Sequence, residues 1–323
     1  MNNYNFLQQK LHAFALSSHF MREITFEVET SLLKKRPINN NHVFVVGLAR
    51  SGTTVLLNAI FDSNEFASLS YKDMPFILSP NLWSIISPSQ DSFRSFERAH
   101  KDGISVSIES PEAFEEVFWK TFDHKDPDTY EKFKVYVDCI TQRYSKDRYL
   151  SKNNQNLKRL SLLSKIYPKA KILIPFRNPI QHAQSLLTQH KLFIDQSRQD
   201  SFIGKYMNWI GHTEFGPNYN PVHSEEIDFL DDMTINHWLE QWVSVYENCI
   251  NLTSKNDNYT FICYETLCQS EYIWENILDF LEINQKYNFT FVESVKNVSY
   301  EADTILKKKS NELYERLRTL SIK

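Results

Sequence analysis

The chain of 323 residues is 41% hydrophobic and 24% charged, with a net charge of −4 at neutral pH. This balance is typical of a globular protein with a sizeable core, and it excludes collagen-like, low-complexity and generally basic nucleic-acid-binding proteins. The four cysteines show no metal-ligand or Cys-x-x-Cys spacing, and the sequence has neither a signal-peptide pattern nor an apolar run of transmembrane length. These features predict a cytoplasmic protein without a membrane span.

The first predicted element is a helical N-terminal segment over residues 1–42. Residues 1–36 have amphipathic helical spacing, and a basic turn rich in proline and asparagine closes the segment. The next residues, 43–46, are a short apolar run with β-branched side chains, which predicts a strand buried on both faces of a parallel sheet. Apolar residues at helical spacing from Thr53 to Phe61 then predict a helix, so this region forms a strand–loop–helix unit.

The loop between this strand and helix has the features of an anion-binding site. Gly47 and Gly52 are two of only six glycines in the chain, and they allow a tight turn whose N–H groups converge at a helix N-terminus. Thr53 occupies the lysine position of a nucleotide P-loop, and the cation lies upstream at Arg50, which favours an anion bound without a metal ion. A tight turn without a ligand is the alternative. The predicted anion contacts are Gly47, Arg50, Ser51, Gly52, Thr53 and Thr54.

Strands and helices alternate through most of the remaining chain. Further strands are predicted over residues 149–151, 171–176 and 259–263. Asn178 is a suitable N-cap and Pro179 suits the first helical position, so a helix is predicted from there to about His190. This alternation predicts an α/β fold with a doubly wound, largely parallel sheet and flanking helices, in a single domain over residues 1–323.

Residues 192–245 do not follow the alternation and predict a helical insertion rich in aromatic side chains. Its tryptophans, Trp209, Trp238 and Trp242, suit stacking on a bound ring. Trp238 and Trp242 are four residues apart, so they equally suit the packed face of one helix. Both interpretations follow from the sequence.

A second anion site is predicted where the strand over residues 171–176 ends. Arg177 follows that strand directly, and Ser185 lies eight residues later in the next helix. An arginine binds a phosphate through parallel hydrogen bonds, and a serine adds a hydroxyl donor. Because ligands of open α/β sheets lie at the carboxyl ends of the strands, both sites are expected at one edge. A surface arginine beside a helix cap would also explain this pair, but together the two sites predict a nucleotide with phosphates at two separated positions.

Three segments together resemble the sulfotransferases that use 3′-phosphoadenosine 5′-phosphosulfate (PAPS). The run Arg50-Ser51-Gly52-Thr53-Thr54 is similar to the arginine form of the family's phosphosulfate loop, as in tyrosylprotein sulfotransferases and many bacterial members. The segment from Arg177 to Ser185 resembles the family's 3′-phosphate segment, and residues 264–267 with 277–281 resemble its Tyr-Glu-x-Leu…Phe-Leu segment. The resemblance covers about residues 43–285. It implies a P-loop-like fold, PAPS as sulfuryl donor, adenosine 3′,5′-bisphosphate as product and no metal ion.

The resemblance also implies roles in the transfer step. Arg50 would neutralise charge on the departing phosphate oxygen, and Lys152 resembles a lysine that contacts the sulfuryl group or the bridging oxygen. Asp73 is the first prediction for the base that removes the acceptor proton, although the related enzymes have glutamate there; a turn-capping aspartate is the alternative. Glu109 and Glu112 are the next candidates for the base.

Three further residues are assigned on weaker patterns. Tyr264 is predicted to pack near the nucleotide, and a core aromatic residue is the alternative. His182 and His190 are predicted to lie on the surface of the helix after Arg177.

The predicted reaction moves a sulfuryl group to an acceptor hydroxyl. A carbohydrate or another cell-surface precursor is preferred as the acceptor because of the aromatic insertion over residues 192–245, which is expected on the acceptor side. The alternatives are a P-loop small-molecule kinase and a non-catalytic nucleotide-binding module. No nucleic-acid partner is predicted, and the sequence does not determine an oligomeric state.

Overall fold

The computed structural model describes residues 5–34, 39–87, 96–97, 105–107, 109–222, 231–253, 256–293 and 301–323. Its strands are β1 (Val43–Val45), β2 (Phe66–Ala67), β3 (Phe96–Glu97), β4 (Ser105–Val106), β5 (Arg148–Lys152), β6 (Lys171–Phe176) and β7 (Tyr259–Cys263). Its helices are α1 (Phe6–Ser17), α2 (His19–Ser31), α3 (Thr53–Phe61), α4 (Pro80–Ile86), α5 (Glu116–Thr121), α6 (Asp128–Tyr144), α7 (Leu160–Ile166), α8 (Pro179–Gln199), α9 (Ser201–Trp209), α10 (Ile235–Thr253), α11 (Tyr264–Gln269), α12 (Glu271–Phe280) and α13 (Thr304–Leu320). Short 3-10 turns cover Tyr71–Asp73, Asn154–Arg159 and Gly216–Asn218.

Within the described residues, five strands form one parallel sheet in the order β2-β5-β1-β6-β7. The central strand is β1, whose Val43 pairs with Leu150 of β5 and with Lys171 of β6. The short strands β3 and β4 form a separate antiparallel pair. Because the five strands run in the same direction, the loops that follow them meet at one edge of the sheet.

The packing around β1 explains why residues 43–46 are apolar at every position. Successive side chains of a strand point to opposite faces, so Phe44 and Val46 join one buried cluster while Val43 and Val45 join another. Side chains of α6, α8 and α10 complete the first cluster, and those of α3 and α12 complete the second. The sheet therefore has helices on both faces, which confirms the predicted doubly wound α/β fold.

The N-terminal segment contributes the helices α1 and α2. The carboxylate of Glu29 on α2 is fully buried and accepts hydrogen bonds from the backbone N–H groups of Asn81 and Leu82 at 2.9 Å. These two N–H groups belong to the first turn of α4, where a negative charge is stabilised by the helix dipole. Residues 35–38, within the predicted closing turn, lie outside the described residues.

The aromatic-rich region over residues 192–245 is largely helical where it is described, and residues 223–230 lie outside that description. It contains the end of α8, all of α9 and the first half of α10. Trp238 and Trp242 are fully buried in the same cluster as Phe44, so of their two predicted roles the structure gives them the packed helix face. Because this region and the sheet share one core, we propose that residues 1–323 form a single domain.

Candidate active site

The predicted site residues lie at the carboxyl edge of the sheet. The loop of residues 47–54 follows β1, Lys152 ends β5, and Arg177 follows β6. Tyr264 follows β7, and Asp73 lies in the turn after β2. Since all five strands are parallel, the fold brings these residues from distant parts of the sequence to one side of the molecule.

The loop of residues 47–54 bends through two left-handed positions. Gly52 has φ +96° and Arg50 has φ +71°, a conformation that is uncommon for a residue with a side chain. A Cβ atom at Gly47 would lie 3.0 Å from the Pro175 carbonyl oxygen, so a side chain at this position would be crowded. The helix α3 begins at Thr53 without a side-chain cap, which leaves its first-turn N–H groups available to an anion.

A direct contact joins the two predicted anion sites. The Arg50 Nε atom lies 3.2 Å from the Ser185 Oγ atom, although the two residues are 135 positions apart in the chain. Ser185 is on α8, within the second turn after Arg177. The phosphosulfate-like loop and the 3′-phosphate-like segment are therefore adjacent in space.

His182 contacts the backbone of the turn that contains Arg50. Its ring is fully buried and its Nε2 atom lies 2.8 Å from the Ala49 carbonyl oxygen. Burial lowers the pKa of His182 to about 3, so the ring is neutral and donates the Nε2 hydrogen to that carbonyl. The prediction that this histidine lies on the helix surface is therefore wrong.

His190 is also buried, in contrast to the predicted surface position. Its Nδ1 atom accepts a hydrogen bond from the Gly216 N–H at 3.2 Å, and its ring packs against Trp238. Both histidines share a four-residue spacing with the buried Leu186, and α10 packs along this face of α8. That spacing is the sequence pattern that predicts both histidines on the buried face of α8.

Glu265, which the sequence assigned no role, fixes the second anion segment. Its Oε1 atom accepts a hydrogen bond from the Asn178 backbone N–H at 2.7 Å, and its Oε2 atom accepts one from the Tyr314 hydroxyl at 3.3 Å. The Asn178 side chain in turn caps α8. Arg177, next to this anchored residue, is 9% exposed and donates to the Gln181 side chain at 3.3 Å. The glutamate of the Tyr-Glu pair thus holds the strand-to-helix loop of the neighbouring strand.

Tyr264 packs directly on the loop of residues 47–54. A Cβ atom at Gly52 would lie 2.3 Å from the Tyr264 Cδ2 atom, so the ring occupies the space where a side chain would extend. The Tyr264 hydroxyl donates to the Val292 carbonyl at 3.2 Å, and burial raises the pKa of this phenol. Gly52 is therefore required both for its backbone conformation and for contact with this ring.

The Asp73 carboxylate is enclosed by protein groups. It is 1% exposed, and its Oδ2 atom accepts hydrogen bonds from the Ser70 N–H at 2.8 Å and the Tyr144 hydroxyl at 2.5 Å. Burial raises the pKa of Asp73, while these hydrogen bonds and the Arg143 charge act in the opposite direction. The contacts match the turn-capping role that the sequence left as an alternative.

The other predicted carboxylates lie beside the same turn. The Glu112 Oε2 atom accepts a hydrogen bond from the Tyr71 hydroxyl at 2.8 Å, and the side chain is largely buried. The Glu109 side chain is 61% exposed and forms a loose ion pair with Lys72 at 3.9 Å. The segment of residues 109–112, which follows β4, therefore brings Glu109 and Glu112 beside the turn that contains Asp73.

A buried carboxylate holds the residues that follow β5. The Glu115 side chain accepts hydrogen bonds from the Tyr149 hydroxyl at 3.1 Å and from the Asn156 amide at 2.8 Å. Between these partners lies Lys152, which is only 5% exposed. Glu115 has no motif in the sequence that would mark it, and it fixes the chain on both sides of Lys152.

A narrow cavity lies between the loop of residues 47–54 and the aromatic-rich region. Its lining residues are Leu48, Ala49, Asn154, Gln155, Leu186, Glu214, Tyr219, Asn220, Val222 and Gln241. Six of the ten carry polar side chains, and Glu214 alone carries a formal charge at neutral pH. Cations, hydroxyls and N–H groups therefore surround the predicted donor site, while amides and one carboxylate line the adjoining cavity. Among the described residues, no group of three or more histidine, cysteine, aspartate or glutamate side chains has the arrangement of a metal site.

Comparisons with known proteins relate this chain to one family. A family model described as the sulfotransferase family matches residues 42–287, which include the whole parallel sheet and the edge described above. No curated protein matches the sequence.

Similar solved structures include sulfotransferase STF1 from Mycobacterium tuberculosis H37Rv, at 12% identity and TM-score 0.49, covering 98% of this chain and 87% of that one. A sulfotransferase from Alicyclobacillus acidocaldarius has 17% identity and TM-score 0.41, covering 89% of this chain and 96% of that one. Retinol dehydratase in complex with retinol and PAP has 12% identity and TM-score 0.29, covering 97% and 78%.

Proposed function

This chain belongs to the sulfotransferase family, and we propose that it transfers a sulfuryl group from PAPS to an acceptor hydroxyl without a metal ion. The observation that carries the proposal is the contact between Arg50 and Ser185. It makes the phosphosulfate-like loop and the 3′-phosphate-like segment neighbours, as a nucleotide phosphorylated at both ends requires.

The described donors fit PAPS at both of its anionic ends. N–H groups at the start of α3, with the hydroxyls of Thr53 and Thr54, would bind the 5′-phosphosulfate. Arg177 and Ser185 would bind the 3′-phosphate, because an arginine held close to an anchored loop can form parallel hydrogen bonds with phosphate oxygens. Tyr264 would pack beside the bound nucleotide from its position on Gly52.

The transfer forms a bond between the acceptor oxygen and sulfur while the bond between sulfur and the phosphate oxygen breaks. Negative charge then develops on the departing phosphate, and Arg50 is the cation of the phosphosulfate loop. We assign Lys152 to the sulfuryl oxygens because it ends the strand beside β1 and is held in place by the Glu115 contacts. Adenosine 3′,5′-bisphosphate is the second product.

Removal of the acceptor proton needs a base at the same edge. The enclosed carboxylate of Asp73 shapes the turn after β2, and we therefore propose that Asp73 acts on this turn and not on the acceptor. Of the other carboxylates predicted from the sequence, Glu109 is exposed beside Lys72 and Glu112 is bonded to Tyr71.

We propose a hydroxylated acceptor, with a carbohydrate or a similar precursor as the preferred class. Its support is the presence of asparagine, glutamine and tyrosine among the residues that line the cavity beside the loop, because these side chains can both donate hydrogen bonds to hydroxyls and accept them. Among the described residues, no helix combines the length and apolarity needed to cross a bilayer. The cytoplasmic location stays a prediction from the sequence.

The test is binding of adenosine 3′,5′-bisphosphate by calorimetry, in Mg²⁺ and in EDTA. We expect equal affinity in both, and an Arg177→Ala variant that binds about 10- to 100-fold more weakly because a charge-assisted hydrogen bond to phosphate is lost. Its transfer rate at saturating donor should stay close to that of the unaltered chain. Absence of bisphosphate binding, or binding of ATP that depends on Mg²⁺, would contradict the proposal and favour a kinase.

Catalysis is tested with radiolabelled PAPS and an extract of the native host. Labelled acceptor should form with the unaltered chain. Bisphosphate binding without any transfer would instead indicate a non-catalytic nucleotide-binding module.

A further inference from the structure

A histidine–glutamate pair lies beside the cavity, outside every motif of the sequence. His212 and Glu214 belong to the segment between α9 and the 3-10 turn Gly216–Asn218. The His212 Nδ1 atom is 3.1 Å from the Glu214 Oε2 atom, and the two side chains are 14% and 10% exposed. A carboxylate beside Nδ1 requires a hydrogen on that nitrogen, so His212 donates to Glu214 and fixes its orientation.

The surroundings of Glu214 keep its carboxylate ionised. Burial by itself would raise the pKa of Glu214, but the His212 charge and hydrogen bond and the Lys152 charge together lower it to about 2. The charge of Lys158 also reaches this carboxylate. Glu214 is therefore a negative group held beside the lysine that we assign to the sulfuryl oxygens.

The cavity places Glu214 against the phosphosulfate loop. Leu48 and Ala49 of that loop line the same cavity as Glu214, and so does Asn154, two residues after Lys152. In-line transfer needs a base close to both the acceptor hydroxyl and the donor, and Glu214 lines the same cavity as the start of the phosphosulfate loop.

We propose that Glu214, oriented by His212, removes the proton of the acceptor hydroxyl, which would make Glu214 a catalytic residue and His212 a positioning residue. The inference rests on the proposed function. In this step the acceptor oxygen bonds to sulfur, the bond from sulfur to the phosphate oxygen breaks, and the electron pair of that bond stays on the departing bisphosphate. The acceptor proton passes to a Glu214 oxygen and from there to water.

The competing carboxylates Asp73 and Glu112 bond to groups that do not line the cavity. Asp73 accepts hydrogen bonds from Ser70 and Tyr144, and Glu112 accepts one from Tyr71. Neither Asp73 nor Glu112 lines the cavity beside the loop.

The decisive comparison is between Glu214→Gln and Glu112→Gln. Both variants keep the size of the side chain and remove its charge. With radiolabelled PAPS and the host extract, we expect Glu214→Gln to lower the transfer rate at saturating donor at least about 100-fold, the usual contribution of a general base. Glu112→Gln should lower it by less than about 10-fold. Calorimetry with adenosine 3′,5′-bisphosphate should give the same affinity for both variants and the unaltered chain.

Two additional variants separate catalysis from folding. Glu247→Gln removes an exposed carboxylate on α10 that pairs with Lys309, and it should leave the rate unchanged. Glu214→Ala should recover part of its activity when formate is added, because a small carboxylate can take the vacated place, and a structural role would give no such rescue. His212→Gln should lower the rate less than Glu214→Gln does.

The outcomes distinguish the two levels of the proposal. A chain that binds no bisphosphate and transfers no label defeats the proposed function itself. Normal transfer by Glu214→Gln, or a larger loss in Glu112→Gln, leaves the sulfotransferase function standing and overturns the role of Glu214.

Discussion

The two sides of the active edge are built in different ways. The proposed donor side consists of the loop of residues 47–54, the segment from Arg177 to Ser185, and Tyr264 with Glu265; each is a short run that follows one strand. The proposed acceptor side consists of Lys152 at the end of β5 together with Asn154, Glu214 and the other residues that line the cavity, which come from separate parts of the chain. Phosphate binding needs backbone N–H groups at a helix start, which a local motif can supply. An acceptor pocket needs only side chains that meet in space, so it leaves little pattern in the sequence.

The largest effect that tests this contrast is expected on the donor side. Arg50→Ala should lower the transfer rate about 100- to 1000-fold, because it removes the loop cation that stabilises charge on the departing phosphate. Arg50→Lys should recover only part of the rate, since an ammonium group lacks the planar donors of a guanidinium. The rate is measured at saturating PAPS with the host acceptor. An unchanged rate for Arg50→Ala would indicate that Lys152, on the acceptor side, stabilises the charge on the departing phosphate instead.

Two glycine substitutions test whether the donor loop depends on a backbone conformation that only glycine adopts easily. Gly52→Ala forces a side chain into a left-handed position and against the Tyr264 ring, so it should lower the unfolding free energy by about 2 kcal/mol and weaken bisphosphate binding. Gly204→Ala, in α9, meets only ordinary contacts with Ser197, and should raise stability by up to about 1 kcal/mol with no change in binding.

Chemical denaturation and calorimetry measure both glycine variants. Equal behaviour of the two would show that the loop at Gly52 is not constrained as the structure describes.

The smallest effect concerns the buried histidine beneath the donor loop. The pKa of His182 is about 3 in the folded chain and near 6.5 when unfolded, so the unfolded state binds more protons between these values. Its contribution to stability is therefore present above pH 6.5 and declines as the pH falls, by about 1.4 kcal/mol for each unit.

His182→Gln should weaken this acid dependence while retaining an N–H donor toward Ala49. The measurement is the denaturation midpoint of both chains at pH 7.5 and at a pH about one unit below the pKa of histidine in the unfolded chain. If the unaltered chain and His182→Gln lose the same stability between these pH values, His182 has the same pKa in the folded and unfolded states. It is then not buried as described.

The main strands and the type of sheet could be predicted from short runs of neighbouring residues. The apolar run of residues 43–46 predicts a strand buried on both faces, and the alternation with helices predicts the doubly wound sheet. The predicted strand over residues 149–151 is the core of β5, and the strands over residues 171–176 and 259–263 have the predicted limits. These elements depend on neighbouring residues, which a single sequence displays.

The sequence did not predict which polar side chains are buried. His182 and His190 have the residue type of a helix surface, and the structure buries both because the donor loop and α10 pack against α8. Glu115 lies in no motif, and the motif that contains Glu265 does not indicate its partners, yet each of these glutamates anchors a loop through hydrogen bonds. Such roles depend on partners that are distant in the chain.

The sequence by itself determined the strand, the glycine turn and the helix start that flank Arg50, and hence the prediction of an anion site there, because backbone turns, helix starts and charge depend on adjacent residues. Only the tertiary structure decided that Ser185 meets this loop, that Asp73 is enclosed in a turn, and that Glu214 lies beside the cavity. The physical reason is that hydrogen bonds and burial act through space, and parallel strands bring together residues that the chain keeps far apart.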